Sequence, residues 1–342
     1  MQFDAVRISI PLKQRFSVSG GSTEVKTNVL TVLNNRYSGE ASGSVYYGPS
    51  IDAIESDIRA GLELLRHVKS ISVETLAEID KFDILPIARS ALIGMTLNYL
   101  SGEMRKYPWE VLSLGTPVGI KSSCTISLQE PVQMLEAIRQ SEFPIVKVKM
   151  GGQYDPEILT GLESIGGKEI RVDANGGWTC DRAQEMIFHL ARLGITIIEQ
   201  PTDVEFLSEW QHLKGKNDSV RLIMDEGLNS LANYEMYSDY FDGINIKMEK
   251  SGGILEGIRL AERAHEDGKQ VMLGCMVESS IGIAQSVYMS SQADCFDLDG
   301  PLLLKDDLAE GIRYDRESIE VDREIIGGPK LKRDVIERYT TD

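Results

Sequence analysis

From about Gly119 onward, eight short β-rich runs recur a little over twenty residues apart, each followed by a stretch with apolar residues at helical spacing. No other feature limits the possible folds as much. The runs are Ser123–Leu128, Ile145–Lys149, Glu169–Val172, Thr196–Ile198, Val220–Met224, Gly243–Ile246, Gln270–Leu273 and Cys295–Leu298. Strand–helix alternation of that length calls for parallel strands joined by crossover helices, and eight such strands suffice to close a barrel. The residues before this repeat read differently. Val6–Ile10 alternates, Asn28–Leu33 is β-rich, and Ile51–Val68 and Pro86–Leu100 carry apolar residues at helical spacing, which suits an α+β domain. The alternation stops after Leu304. The expected division is therefore an α+β domain over residues 1–118, a barrel over 119–304, and a tail over 305–342, with Gly327, Gly328 and Pro329, returning to the first domain. No finer repeat is present, so solenoid architectures are set aside.

Composition removes several classes of function. A formal charge of −17 opposes docking on phosphate backbones or anionic lipid, so neither nucleic acid nor a membrane surface is an expected partner. Cys124, Cys180, Cys275 and Cys295 form no CxxC pair and read as free thiols. The four histidines, His67, His189, His212 and His265, lack metal-ligand spacing. No segment approaches the roughly 20 uninterrupted apolar residues of a membrane span. The stretch MQFDAVRISIPL has no basic run followed by an apolar one, so the expected compartment is the cytoplasm. A homo-oligomer stays open.

The chemistry is suggested by where ionisable residues fall. Successive runs end in Lys147 and Lys149, Asp173, Glu199, Asp225, Lys247, and Asp297 with Asp299. The carboxyl ends of parallel barrel strands converge on one mouth, where barrel enzymes place their chemistry. Any one acid has a plain structural explanation as a cap on the following helix. Capping does not select lysine at two strand ends. Asp173, Glu199 and Asp225 end three consecutive strands, and three adjacent carboxylates repel unless a cation sits among them. Ligation by oxygen alone points to a hard ion, Mg²⁺ before Mn²⁺. Lys147 and Lys149 are spaced to face one way along a strand, and Lys247 arrives from a strand across the barrel. Beside a divalent cation and a second ammonium, such a lysine is expected to have a lowered pKa and to act as a base near neutral pH. Two lysines on opposite faces of one carbon allow one to remove a proton while the other delivers one, which inverts the centre.

These residues resemble the enolase superfamily, in its muconate-lactonizing subgroup and most nearly its dipeptide epimerases. The resemblance is carried by IVKVKM around Lys147 and Lys149, RVDANGGW around Asp173, IIEQP around Glu199, MDEG around Asp225 and NIKMEKSGGI around Lys247. GCMVESSIG, with Met276 and Glu278, and DLDG, Asp297–Gly300, look like epimerase segments. The resemblance implies a modified (β/α)7β TIM barrel with an α+β capping domain built from the N-terminal region and the C-terminal tail. It implies one Mg²⁺ per subunit held by Asp173, Glu199 and Asp225, with Lys149 and Lys247 as acid and base and Lys147 assisting electrostatically. The implied reaction inverts the α-carbon of a dipeptide's C-terminal residue through a metal-stabilised enediolate. Asp297 and Asp299 would receive the substrate's ammonium, with Met276 and Glu278 as further substrate contacts.

The sequence departs from its relatives in two places. Gly227 stands where many relatives have a small hydroxyl residue. Ser17–Glu24, SVSGGSTE, has no arginine of the kind that holds a glutamate side chain in Ala-Glu epimerases, and Glu249 and Glu278 add negative charge near the mouth. Neutral or basic dipeptides are the expected substrates. The alternatives are a cycloisomerase or o-succinylbenzoate synthase of the same subgroup, which needs no ammonium acceptor, and a catalytically silent barrel that only binds. Gly274–Cys275 stands where a mandelate-racemase-type mechanism wants histidine.

Overall fold

The computed structural model describes residues 1–18, 21–43 and 48–341. Strands Phe3–Val18, Gly21–Leu33 and Tyr37–Ala41 form an antiparallel sheet in that order. Val6 pairs with Leu30 and Ile10 with Lys26, and the register slips between Pro11 and Phe16, where proline has no N–H to give to the ladder. Helix Ile51–Arg66 starts where the Ser50 hydroxyl accepts from Ala53 N at 3.2 Å, and it buries the stripe Ile54, Ile58, Leu62 and Leu65.

Helix Pro86–Met104 is buried on nearly every side because it is wedged between that sheet and the barrel. On the sheet side Gly39 is required: a Cβ there would lie 2.0 Å from Ala91 O. On the barrel side Gln285 Nε2 donates to Ser90 O at 3.1 Å while its Oε1 accepts from Ile254 N at 3.0 Å. The helix ends at Arg105, which takes a left-handed conformation with φ 53°.

The barrel strands are Cys124–Ile126, Ile145–Lys149, Glu169–Asp173, Ile197–Glu199, Arg221–Met224, Gly243–Ile246, Gln270–Gly274 and Cys295–Asp297. They run parallel and neighbour one another in sequence order. A parallel bridge between Ser122 and Phe296, with Ser123 N donating to Phe296 O at 3.1 Å, brings the first strand against the eighth. A helix lies in each connection, so the architecture is (β/α)7β, and the strands match the predicted runs to within a residue or two at their ends.

Inside the barrel Ile197, Ile223, Met272 and Cys295 form an apolar cluster separate from the main core. Side chains alternate along a strand, so the residues two further on from these four share the interior face one layer nearer the mouth. Those residues are Glu199, Asp225, Gly274 and Asp297.

Beyond Leu304 the chain touches both parts. Ser318–Val321 pairs with Ile120–Lys121 beside the barrel, while Thr340 bridges Ile8 and Thr341 N donates to Arg7 O at 3.0 Å. Ile8, Ile10, Leu30 and Val32 of the sheet pack with Ile281, Leu304, Leu308 and Val335. Each such side chain is worth roughly 1.5–3 kcal/mol relative to leaving it exposed. Among the described residues no helix is long and apolar enough to cross a membrane.

Candidate active site at the barrel mouth

The second and sixth strands lie four apart in an eight-stranded ring, so the lysines at their ends face each other across it. Lys147 Nζ stands 2.9 Å from Asp173 Oδ2, 2.8 Å from Glu199 Oε2 and 2.7 Å from Asp297 Oδ2. Lys149 Nζ is 2.6 Å from Asp173 Oδ2, its register partner on the neighbouring strand. Opposite, Lys247 Nζ is 2.7 Å from Asp225 Oδ2, and Lys250 pairs with the other oxygen of that carboxylate. Asp299 is fixed by Thr125 N, which donates to its Oδ2 at 2.6 Å. All eight predicted strand-end residues are thus buried at one mouth.

Burial works against Asp173 and Asp225, yet Lys147 and Lys149 hold the first, and Lys247 and Lys250 the second, below the ordinary carboxylate range. Burial and the Asp173 charge push Glu199 up to about 8. Burial and Asp297 push Asp299 up to about 6. For Lys147 the expected direction is reversed: burial favours the neutral amine, but Asp173, Asp297 and Glu199 hold the ammonium well above its ordinary value. Three carboxylates outweigh one neighbouring ammonium, which favours the charged form of Lys147. Burying this many charges costs stability, and such clusters concentrate at functional sites.

Among the described residues no three histidine, cysteine or acidic side chains are gathered into a ready-made cation cage; Asp173, Glu199 and Asp225 are each turned to an ammonium. Their chemistry nevertheless suits a hard divalent ion, being three buried carboxylates on adjacent strands. Glu199, pushed up by burial and Asp173, has less positive charge near it than it needs to stay ionised at neutral pH.

Supporting residues were missed in the sequence. Asn245 Nδ2 donates to Glu199 Oε1 at 2.9 Å, and Gly274 leaves it room, since a Cβ there would sit 2.3 Å from Asn245 Oδ1. Asn245 is two residues before Lys247, and the strand period alone would have placed it in the interior. Gln200, at φ 37°, accepts from Asp225 N and Glu226 N at 3.0 Å each and so aims the Asp225 turn. Ser123 Oγ donates to Asp297 Oδ1 at 2.6 Å.

The selectivity residues lie deeper than expected. Glu249 and Glu278 are 5% and 3% exposed, and Ser42 N of the capping sheet donates to Glu249 Oε1 at 2.5 Å. Met276 is half-buried, and its loop packs on the DLDG turn, where a Cβ on Gly300 would meet Met276 O at 2.6 Å. Of the segment Ser17–Glu24, Ser19 and Gly20 lie outside the described residues. Arg15, two residues earlier, donates from Nε to Ser22 Oγ at 2.7 Å, which places an arginine beside the segment.

The Enolase C-terminal domain-like family matches residues 131–323. An L-Ala-D/L-Glu epimerase of Bacteroides thetaiotaomicron is 30% identical over 280 residues, 80% of this chain and 72% of that protein. An L-Ala-D/L-amino acid epimerase of Flavobacterium johnsoniae is 28% identical over 315 residues, 89% of this chain and 92% of its own. The structure of a substrate-liganded complex of the L-Ala-D/L-Glu epimerase from Bacillus subtilis superposes with a TM-score of 0.85 at 25% identity, covering 97% of each chain.

Proposed function

The chain belongs to the enolase superfamily, and on that footing we propose that it is a dipeptide epimerase working by proton transfer between two opposed lysines. The observation that carries this reading is the pair of buried ammonium groups on strands two and six, each anchored by a carboxylate. Lys149 and Lys247 approach one α-carbon from opposite faces. One takes the proton while the other returns one, and their roles exchange for the other stereoisomer. Lys147, paired with Asp297 at 2.7 Å, offsets negative charge on the substrate carboxylate. Asp173, Glu199 and Asp225 would hold one Mg²⁺, which when bound supplies the larger share of that offset. Asp297, against Lys147, and Asp299, against Thr125 of the first strand, receive the dipeptide's ammonium. That last role separates a dipeptide epimerase from a cycloisomerase of the same subgroup.

Selectivity follows from how the capping sheet's charges are spent. Lys26 is buried, donates to Gly43 O and is surrounded by Glu40, Glu249 and Glu278, so its charge is not free to meet an anionic side chain. Ala-Phe and Ala-Lys should therefore be better substrates than Ala-Glu. A clear preference for Ala-Glu contradicts this and points to Arg15 as the cation. In the same kinetics Asp297→Asn should lower kcat/KM by at least about thirty-fold, the lower end of what losing one buried partner of a charge pair costs. Mg²⁺ binding should be retained. An unaffected Asp297→Asn variant removes the case against a cycloisomerase.

A further inference from the structure

Four ionisable side chains outside the catalytic set are buried where the capping sheet meets the barrel. They are Lys26 and Glu40 on the second and third strands, Glu249 two residues past Lys247, and Glu278 in the loop after the seventh barrel strand. Glu40 is fully satisfied across the seam. It accepts from Asn28 Nδ2 at 2.6 Å, from Ser279 N and Gly282 N at 3.0 Å each, and from the Ser279 hydroxyl. Ser42 donates from its amide to Glu249 Oε1 at 2.5 Å and from its hydroxyl to Val277 O at 2.7 Å. One edge of the capping sheet thus grips both the segment behind Lys247 and the loop packed on the Asp299 turn.

The seam contains a deficit. Glu249 Oε2 and Glu278 Oε2 are buried with no donor, although the two side chains are within hydrogen-bonding reach of each other. Two carboxylates in contact cannot both stay charged in a buried site unless a cation matches each, and Lys26 is one cation among three acids. A proton between them satisfies both orphan oxygens.

We propose that Glu278 donates a proton-borne hydrogen bond to Glu249, and that this pair, with Lys26 and Glu40, positions the Lys247 segment and the Asp299 loop against the cap, so that substrate affinity depends on the shared proton. The charged and titratable groups facing the pair are Lys26 and Glu40 from the capping sheet, with Cys275 and Asp299 from the barrel loops and Tyr314 from the tail. Burial, then the neighbouring acids, raises both carboxyls, Glu249 to about 8. A carboxyl raised on folding contributes fully below its ordinary value and loses that contribution as pH rises through the raised one. The grip should therefore hold at neutral pH and weaken as pH rises through the raised value of Glu278, which carries the shared proton.

Glu249→Gln is the informative variant. Its Oε1 still accepts from Ser42 N, and its amide replaces the shared proton as donor to Glu278, so the bridge no longer titrates. The substrate's amino group also titrates near this range, so the ratio of wild-type KM to variant KM is the quantity to follow. With Ala-Phe or Ala-Lys, that ratio should rise at least about tenfold between pH 7 and 9.5 while the kcat ratio stays level, on the scale of about one pKa unit of differential interaction. Because the kinetic arm rests on the dipeptide reading, hydrogen exchange at the Ser42 amide provides a second arm that needs no substrate. After correction for base catalysis it should accelerate over the same range in the wild type and not in the variant. A constant KM ratio overturns the proposal, as does Ser42 exchange that tracks the wild type in the variant; if no dipeptide is turned over, the exchange arm alone decides.

Discussion

Replacing Lys149 or Lys247 by alanine should lower epimerisation by about 10²–10⁴-fold, the usual contribution of a positioned acid or base. The geometry makes the two losses equivalent in size and different in kind. In the proposed mechanism each lysine serves one face of the reacting carbon, as strands two and six stand on opposite sides of the ring. Removing either one leaves a base for one stereoisomer and no acid to complete the inversion. A single-lysine variant should therefore still exchange the α-proton of one stereoisomer with solvent while forming the other about 10²–10⁴-fold more slowly. Chiral chromatography of the products checks the first part. Near-normal epimerisation by either variant would show that the lysines are misassigned.

Chelation should remove turnover altogether, and Mg²⁺ should restore it. The reason lies in the charge arrangement at the mouth, where Asp173 and Asp225 are each paired by two lysines while Glu199 is raised to about 8 by burial and by Asp173. A divalent cation bound among the three carboxylates offsets the burial and the Asp173 charge that raise Glu199. Calorimetric titration should find a single Mg²⁺ site, lost on changing Glu199 to Gln, whose neutral amide cannot replace the carboxylate. Full activity after exhaustive chelation would overturn the metal assignment.

The barrel was legible because parallel strands covered on both faces read as short β-rich runs, and here each active-site strand ends in a charge. Strand Phe3–Val18 was only partly legible. Val6–Ile10 shows the alternation, but Lys13, Gln14 and Arg15 are exposed and fall where the register slips between Pro11 and Phe16, which leaves no hydrophobic signal. Helix Val73–Ile79 is too short to display a period. At the site, the strand-end acids and lysines could be named because their spacing is local. Their electrostatics could not, since the Lys147 shift sums carboxylates from several other strands, among them Asp297, 150 positions away in the chain. The seam was hidden for the same reason: Glu40 meets Ser279 across 239 positions, and nothing near either residue announces the other. Lys26 lies two residues beyond Ser17–Glu24, and only folding shows that its charge is spent on buried acids.

The central claim is that two lysines move a proton at the α-carbon of a dipeptide's C-terminal residue. Incubating L,L-dipeptides in D₂O with Mg²⁺ and the enzyme, then locating the label by mass spectrometry, tests it most directly. One deuterium should enter the C-terminal residue of every dipeptide converted, at its α-carbon, with the L,D product carrying the label from its first formation. Epimerised product without deuterium, or label in the N-terminal residue, would contradict the account.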